Sequence, residues 1–355
     1  MVVEARDFAL AVSGGGDSVA LMHLVSGWLK QAGAELPPRT VLTVDHGLRP
    51  GSKAAAKRVA QWTRAAGFEP QILSWRGTKP TTGMEEKARE ARYRLIGDWC
   101  CDHGVAKILV AHTEDDQAET FLLRLGRGSG VDGLSAMRAR SRYPLEEYPK
   151  LELVRPLLGV SRRALRAFLT ARGADWLEDP MNRDPRFQRA RVRELLPSLE
   201  QAGLSVTRIA QAARHLARAR EALDSDTSAF LARYSRFRED AIFVDAGALL
   251  RAPREVGLRA LSSALMRLSG ATYRPRFERL EKLYDALSSD SFSGRTLLGC
   301  RIGKAAKGNA EFGPATLEIR QEEPRKGRAR GLKSVMVGKG KLPKKGRIIA
   351  VSYNS

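Results

Sequence analysis

The stretch Phe8–Ser18, which reads Phe-Ala-Leu-Ala-Val-Ser-Gly-Gly-Gly-Asp-Ser, limits the possible folds of this chain more than any other feature. Residues 8–12 form an apolar run that is too short for a helix and is bounded by glycines, which predicts a buried parallel strand. Apolar side chains then recur with helical spacing over residues 21–29, so a helix begins at Asp17 or Ser18. The sequence therefore predicts a strand, a glycine-rich turn and a helix.

This turn predicts a phosphate site, because glycines allow a close approach of the backbone and the amides at a helix N-terminus favour an anion. An ordinary tight turn is the alternative. The predicted phosphate-binding residues are Ser13, Gly14, Gly15, Gly16, Asp17 and Ser18.

The loop differs from two common phosphate loops. A Walker loop needs a lysine followed by serine or threonine after the glycines, and none follows here. The dinucleotide fingerprint needs a third glycine at position 19, where this chain has Val19. The carboxylate of Asp17 would repel phosphate unless a divalent cation lies between them, so we expect a metal ion at this loop.

The charge of the chain indicates its class of partner. With 61 Lys and Arg against 40 Asp and Glu, the 355-residue chain has a formal net charge of +21. This excess favours a polyanion, nucleic acid first, although arginines that are merely solvated are the alternative. The chain starts without the features of a signal peptide and has no apolar run of about 18 residues, so we expect a cytoplasmic protein with no membrane partner.

Two further predicted strands, residues 41–44 and 107–111, end in polar residues. Ligands of a parallel sheet bind at the carboxyl ends of its strands, so Asp45, His46 and Arg49 are predicted to face the crevice of the phosphate loop. His112 ends the second of these strands. Asp45 can accept a hydrogen bond from a ribose hydroxyl. A polar turn in which Asp45 is a simple cap is the alternative.

Acidic residues crowd the start of the helix that follows His112. Asp116 and Glu119 are three residues apart and share a helix face. Acids complement a helix N-terminus by about 0.3 to 1 kcal/mol each, which explains part of this pattern. A histidine and four acids exceed what capping needs, and they suit the binding of magnesium and of an ammonium group. The acids are Glu114, Asp115, Asp116 and Glu119.

Basic residues at two places are candidates for binding anions. Arg92 lies near the buried edge of a predicted helix that contains residues 84–94, although a solvated run of charges is the alternative. Further along the chain, arginines bracket one aromatic residue, a pattern that suits a phosphate backbone or the carboxylate of a small substrate. These arginines are Arg186, Arg189, Arg191 and Arg193.

We predict three segments: residues 1–200 as the domain with the phosphate loop, 201–295 as a second, mostly helical domain, and 296–355 as a basic C-terminal segment. Helical spacing of apolar residues from Val206 onward supports the second segment. Dispersed glycines, prolines and basic residues after Arg301 predict a small, partly ordered tail. Short β-structure there is the alternative.

The string Ser-Gly-Gly-Gly-Asp-Ser resembles the PP-loop of the ATP pyrophosphatase superfamily. Members of that superfamily cleave ATP between the α and β phosphates and adenylate an oxygen of their substrate. Five further motifs follow in the order that is typical of bacterial tRNA(Ile)-lysidine synthetases. They are Val-Asp-His-Gly-Leu-Arg, Ala-Arg-Tyr, Ala-His-Thr-Glu-Asp-Asp-Gln-Ala-Glu-Thr, Arg-Gly-Ser-Gly and Arg-Pro-Leu-Leu. The resemblance is dense from Phe8 to Pro197 and thinner beyond. Two departures concern tRNA docking: Ala190 stands where the family has asparagine, and the C-terminal part is short.

The resemblance implies an α/β fold. A parallel-sheet, Rossmann-like PP-loop ATP pyrophosphatase domain, the catalytic domain at residues 1–200, would precede a mostly helical, tRNA-binding C-terminal domain at residues 201–295 and a basic tail. It implies that ATP adenylates C2 of the wobble cytidine in the CAU-anticodon tRNA(Ile), releasing pyrophosphate. Free lysine then displaces AMP through its ε-amine to form lysidine, so that the tRNA reads AUA and is charged with isoleucine.

The resemblance also implies residue roles. Asp45 and His46 join the loop residues in binding ATP, and Mg²⁺ is held by Asp17 and Asp116. The catalytic residues would be Asp17, His112, Asp116 and Glu119, the lysine-binding residues Arg92, Asp116 and Glu119, and the tRNA-binding residues Arg127, Arg189 and Arg193. Either Glu119 or Asp116 can serve as the base that deprotonates the amine, and the sequence leaves this choice open.

Rival functions explain less of the sequence. A tRNA thiolase would use the same ATP chemistry but would need catalytic or cluster-binding cysteines, and Cys100, Cys101 and Cys300 lack a suitable spacing. A ligase that makes GMP or NAD would not account for the charge of +21. A non-catalytic basic RNA-binding protein would leave the glycine-rich loop and the acids without a role. The oligomeric state, for which a dimer is one candidate, is left open.

Overall fold

The structure, a computed structural model, divides the chain into two compact units, Met1–Asp226 and Thr227–Ser355. The predicted division of function at residues 200 and 295 stays a prediction. The structure describes residues 8–32, 39–48, 50–80, 82–178, 184, 186, 188–271, 273–289, 291–306 and 311–322.

The first unit alternates strands and helices, as the sequence predicts. Helix α8 (Val206–Tyr234) contains the boundary between the two units. The elements that precede it are β1 (Phe8–Ala11), α1 (Gly16–Gln31), β2 (Thr40–Asp45), α2 (Ser52–Ala65), β3 (Glu69–Ser74), α3 (Met84–Asp102), β4 (Lys107–Leu109), α4 (Glu114–Leu125), α5 (Val131–Leu134), β5 (Arg140–Arg142), β6 (Glu152–Val154), α6 (Arg162–Ala171) and α7 (Gln188–Gln201).

The sheet of the first unit has the strand order β3-β2-β1-β4-β6-β5. Each neighbouring pair is parallel except β5 and β6, which are antiparallel. The chain runs outward from β1 to β3 and then returns to place β4 on the other side of β1. This reversal opens a crevice at the carboxyl ends of β1 and β4, where ligands of such sheets bind. The predicted α/β class with a mostly parallel sheet is confirmed.

Both faces of this sheet are covered, because successive side chains of β1 point to opposite faces. Phe8 and Leu10 are buried in a cluster with apolar residues of α1, α2 and α6. Ala9 is buried on the other face with Tyr93 and Ile96 of α3. The core therefore lies in two layers on either side of the sheet and fixes its strand ends.

The segment of residues 138–150 is polar in sequence but partly buried in the structure. Residues 138–150 look like a polar surface excursion in the sequence, and Arg140 and Arg142 are indeed exposed on the short edge strand β5. Tyr143 and Tyr148, however, are buried against α3, where the Tyr148 hydroxyl donates to Asp98 Oδ1 at 2.6 Å. Two tyrosines in a polar segment supply enough apolar surface to anchor it.

The second unit combines helices with an antiparallel sheet of order β7-β8-β11-β10-β9. The helices were predicted. The five-stranded sheet was not, although β11 realises the short β-structure that was the alternative after Arg301. Arg49, which was predicted to face the crevice of the first unit, and residues 323–355 of the predicted basic segment lie outside the described residues. The elements after α8 are β7 (Ser235–Phe237), β8 (Ala241–Asp245), α9 (Ala246–Arg251), α10 (Arg254–Ser269), α11 (Phe277–Ala286), β9 (Arg295–Leu297), β10 (Cys300–Lys304) and β11 (Thr316–Gln321).

Among the residues that the structure describes, no helix combines the length and apolar character needed to cross a membrane.

Two helix glycines test the packing of the first unit. A Cβ on Gly97 of α3 would lie 2.5 Å from Cε2 of the buried Tyr148 ring, whereas one on Gly27 of α1 would meet no atom within 4 Å. We expect Gly97→Ala to lower the free energy of unfolding by about 1–3 kcal/mol through overpacking. Gly27→Ala should raise it by about 0.5–1 kcal/mol through helix propensity. Urea unfolding of both variants measures the two signs, and a stabilised Gly97→Ala would contradict this packing.

Candidate active site

The glycine-rich loop lies between β1 and α1, at the switch point of the sheet. Gly14 has a φ of +92°, a left-handed conformation that favours glycine. Gly15 is the N-cap of α1, and its carbonyl accepts the N–H groups of Ser18 and Val19 at 3.0 Å each. The hydroxyl oxygens of Ser13 and Ser18 are 3.3 Å apart. The structure thus brings the predicted phosphate-binding residues together at a helix N-terminus.

A segment that the sequence analysis missed packs on this loop. The Leu177 N–H donates to the Gly14 carbonyl oxygen at 2.8 Å. A Cβ on Gly14 would lie 2.8 Å from Leu177 Cδ1, and one on Gly16 would lie 3.5 Å from Trp176 Cδ1. The glycines therefore make room for residues 176–177 as well as for a ligand.

The loop opens into a cavity of about 700 Å³, a volume within the usual range for small-molecule sites. It collects residues from the carboxyl ends of β1, β2 and β4 and from α3, α4, α6 and α7. The predicted site residues in its lining are Ser13, Gly15, Gly16, Asp17, Ser18, Asp45, His46, Arg92, His112, Asp116 and Arg193.

Asp116 both caps a helix and faces the cavity. Its Oδ2 accepts the Thr113 backbone N–H at 2.9 Å and the Thr113 hydroxyl at 2.9 Å, while the Asp116 N–H donates to Thr113 Oγ1 at 3.3 Å. These contacts form a capping box, so helix capping, which explains part of the acidic pattern in the sequence, is present. The Oδ1 atom nevertheless faces guanidinium groups. The same carboxylate therefore caps α4 and contributes to the site.

A guanidinium that the sequence analysis did not single out holds the acids together. Arg162, the first residue of α6, places its Nε 3.0 Å from Asp17 Oδ2 and its Nη2 3.4 Å from Asp116 Oδ1. Its Nη1 lies 3.5 Å from Glu119 Oε1 and 4.0 Å from Asp115 Oδ1. The phosphate loop and the acidic start of α4 therefore meet on one cation.

Glu119 is fully buried, and two arginines neutralise it. Arg193 of α7 donates from Nε to Glu119 Oε1 at 2.6 Å and from Nη2 to Oε2 at 3.2 Å, a bidentate pair. The Arg189 Nη1 lies 3.7 Å from Asp116 Oδ1. Two of the three arginines predicted to bind tRNA thus lie against the acids.

The third of these arginines lies elsewhere. Arg127, just beyond the end of α4, is exposed and donates to Gln188 Oε1 at 2.7 Å. Gln188 is the first residue of α7, the helix that carries Arg189 and Arg193. Arg127 does not line the described cavity, but it adjoins the helix whose Arg193 does.

The two acids that flank Arg162 have opposite pKa shifts. Burial raises the pKa of Asp17, and the nearby Arg162 only partly offsets this effect. Burial also acts to raise the pKa of Asp116, but Arg162 and the Thr113 hydrogen bonds outweigh it and hold that pKa below its usual range. Burial acts to lower the pKa of Arg162, and the acids around it raise it overall. Asp116 and Arg162 are therefore charged at neutral pH.

The two histidines of the cavity are neutral at pH 7. Burial is the largest cause in both: it lowers the pKa of His112 to about 4 and also lowers that of His46. The nearby Arg155, Arg189 and other arginines add to the shift of His112, and Asp116 opposes it. Within the described part of the chain, neither Nδ1 atom has a hydrogen-bond partner. Each ring therefore keeps a polar atom available to a ligand.

Arg92 of α3 and Asp45 at the end of β2 also line the cavity. Arg92 is half-buried, with its guanidinium 5.5 Å from the centre of the Tyr93 ring, and burial lowers its pKa. Asp45 Oδ1 accepts the Gly47 N–H at 3.0 Å, so Asp45 caps a polar turn, as the alternative interpretation of the sequence has it. The side chain still lines the cavity.

The parallel sheet, the glycine-rich loop at its switch point and the acids that face this loop define a nucleotide-binding domain of the PP-loop class. A profile of the PP-loop domain family matches residues 2–199. Over most of its length the chain is similar to curated tRNA(Ile)-lysidine synthases, and it belongs to that family. The resemblance seen in the sequence motifs is confirmed.

The tRNA(Ile)-lysidine synthase of Ruegeria pomeroyi is 40% identical over 319 residues, which cover 85% of this chain and 73% of that protein. The one of Methylobacterium nodulans is 39% identical over 91% of this chain and 92% of its own. The one of Bradyrhizobium diazoefficiens is 43% identical over 74% and 73%, respectively. Among solved structures, the U34-tRNA thiolase NcsA from Methanococcus maripaludis matches 60% of this chain with 16% identity and a TM-score of 0.49.

The lowered pKa of His112 predicts a pH dependence of stability. The unfolded chain binds a proton at this histidine near pH 6.5 and the folded chain near pH 4, so the free energy of unfolding falls as the pH drops between these values. The loss is about 3 kcal/mol, and it should be missing in His112→Gln. Urea unfolding of both proteins at pH 7.5, 5.5 and 4.5 measures it. Equal pH slopes for the two proteins would show that His112 is not buried in its neutral form.

Proposed function

We propose that this chain is an ATP-dependent ligase that adenylates C2 of the wobble cytidine in the CAU-anticodon tRNA(Ile) and joins free lysine to it. The products are lysidine, AMP and pyrophosphate. One observation carries the proposal: Asp17 of the phosphate loop and Asp116 and Glu119 of α4 meet on one guanidinium. Phosphate chemistry and amine chemistry can therefore take place in one cavity.

The loop residues suit the adenylation step. The Ser13 hydroxyl and the first amides of α1 are donors for phosphate oxygens. The Ser18 hydroxyl, which donates to the Gly15 carbonyl at 2.8 Å, would join them by changing its acceptor. Asp45 and His46, at the end of β2, line the same cavity and suit the ribose and base of ATP. The family match indicates ATP, and these assignments to single residues are our proposal.

Asp17 and Asp116 are the residues that would hold Mg²⁺. Within the described residues, no group of three His, Cys, Asp or Glu side chains is arranged to hold a metal ion. Two carboxylates nevertheless suit magnesium, which usually binds one or two carboxylates together with substrate phosphates and water. Both of these carboxylates already face a cation, Arg162. The donor set therefore fits, and the ion would neutralise phosphate charge during adenylation.

The acids and Arg92 suit the second step. The half-buried Arg92 can pair with the carboxylate of free lysine through its planar fork. Asp116, charged at neutral pH, and Glu119 can hold the ε-ammonium. One of the two must also accept a proton, because the amine attacks only when it is deprotonated. His112 has an available ring nitrogen beside them and is the third candidate for contact with the reacting amine.

The charge of +21 supports a tRNA substrate. We propose that Arg127, Arg189 and Arg193 contact tRNA, that the helical part of residues 201–295 extends the contact, and that the enzyme acts in the cytoplasm. None of the described residues that line the cavity is a cysteine, which leaves a thiolase without its catalytic group. A dimer stays a prediction.

Asp17→Asn tests the phosphate loop. The substitution removes a charge that burial already disfavours, so the fold should survive, while adenylation should fall at least about 100-fold because the metal loses a ligand. Release of pyrophosphate from ATP with the CAU tRNA(Ile) measures the effect. Asp102→Asn, at the exposed end of α3, is the matched control and should keep full activity. Normal pyrophosphate release by Asp17→Asn would exclude the metal role of Asp17.

Glu119→Gln tests the separation of the two steps. The amide keeps the size of the side chain and can still accept from Arg193, so we expect adenylated tRNA to form. Transfer of lysine should drop at least about 100-fold, because the charge that holds or deprotonates the amine is lost. Asp116→Asn should impair both steps.

Single-turnover formation of adenylated tRNA, first without lysine and then with it, distinguishes these outcomes. A Glu119→Gln enzyme that loses adenylation as fully as Asp17→Asn would contradict the proposed division.

A further inference from the structure

Arg162 lies at the centre of the acids without a role in the reaction as described above. Its side chain is 22% exposed and contacts Asp17, Asp116 and Glu119. Its backbone is fixed separately: the Arg162 N–H donates to Asp115 Oδ2 at 2.7 Å, and Ser161 caps α6 by accepting the Ala164 N–H at 3.2 Å. The guanidinium can therefore change partners while the start of the helix stays in place.

Arg162 and a metal ion would use the same oxygen atoms. The guanidinium contacts Asp17 Oδ2 and Asp116 Oδ1, and the second oxygen of Asp116 is engaged by Thr113. A cation that binds between Asp17 and Asp116 must therefore share or replace these contacts with Arg162. Two cations on one pair of oxygens repel each other strongly at such distances.

We infer that Arg162 is the internal cation of the magnesium position in the nucleotide-free enzyme, and that it turns to the phosphates of ATP when the metal ion takes that position. The inference rests on the proposed function, because it requires ATP and Mg²⁺ at this loop. Arg162 would thus keep Asp17 and Asp116 in place for the metal ion before ATP binds, and it would contact the phosphates of ATP during the reaction.

The charges favour such an exchange. Without a ligand, Arg162 balances carboxylates that would otherwise repel one another across the switch point. With a magnesium triphosphate bound, the metal neutralises Asp17 and Asp116, and the triphosphate has negative charge left over. A guanidinium presents a planar fork that matches phosphate oxygens, and Arg162 lies 3.0 Å from a residue of the phosphate loop. The side chain has an anion to contact in both states.

The exchange predicts that the metal ion binds weakly unless ATP is present, because ATP supplies the new partner of Arg162. Removing the guanidinium should therefore strengthen binding of the free metal ion and weaken binding of ATP. A purely structural role of Arg162 would not produce these opposite changes.

The test is a titration of the full chain with Mn²⁺, without nucleotide or tRNA, followed by electron paramagnetic resonance. We expect Arg162→Gln to bind Mn²⁺ at least about tenfold more tightly than wild type, since one repelling charge is gone. Arg162→Lys keeps the charge and should bind Mn²⁺ as weakly as wild type. Arg163→Gln, the exposed neighbour on α6, is the matched control and should not differ from wild type.

The second measurement is the affinity for ATP at saturating Mg²⁺, which should fall at least about tenfold in Arg162→Gln and less in Arg162→Lys. Unchanged Mn²⁺ affinity in a folded Arg162→Gln overturns the inference, as does unchanged ATP affinity. Should Arg162→Gln not fold, tight Mn²⁺ binding by Arg162→Lys overturns it equally.

The test of the proposed function and the test of Arg162 have separate readouts. A wild-type enzyme that does not modify the CAU tRNA(Ile) would refute the function. The metal titration needs neither tRNA nor lysine, so it would still report on Arg162.

Discussion

The first unit depends on the approach of two carboxylates, Asp17 and Asp116, across the switch point of the sheet. They come close because β1 and β4 are parallel neighbours whose loops leave at the same edge. The two negative charges repel each other, and burial adds a desolvation cost. The structure meets this cost with Arg162, which α6 places between them. The positions of the loop, of α4 and of α6 are thus coupled through one set of ionic contacts.

Asp116 shows why this site cannot be separated from the fold. One of its oxygens completes the capping box of α4, and the other faces the cavity. A carboxylate that served the cavity alone would be free to rotate. The two hydrogen bonds from Thr113 fix the orientation of Asp116 and help to keep it charged. The hydrogen bonds between Thr113 and Asp116 therefore both stabilise the start of α4 and orient the Asp116 carboxylate for the site. In this way the scaffold makes the site rigid.

The sequence predicted the parts of the fold that depend on local patterns. The strand at Phe8, the helix after it and the acids at the start of α4 follow from periodicity and capping chemistry, and they are present. The contact of Arg162 with the acids was missed because Arg162 comes 43 residues after Glu119 in the chain. The packing of Leu177 on Gly14 and the pairing of β8 with β11 join residues far apart in the chain. Local patterns contain no information about such contacts.

The polar atoms that remain in the cavity indicate what the site lacks. A buried donor or acceptor without a partner costs stability, so proteins keep few of them. In the described part of the chain, the Nδ1 atoms of His46 and His112 are such atoms, and both line the cavity. They lie on opposite sides of the phosphate loop, at the ends of β2 and β4. The acids, in contrast, already have Arg162 and Arg193 as partners. A ligand therefore meets two kinds of group here: neutral rings that gain a partner and ion pairs that must exchange one. The second kind makes binding depend on charge balance, which suits a site that takes up a metal ion, a triphosphate and an amine in turn.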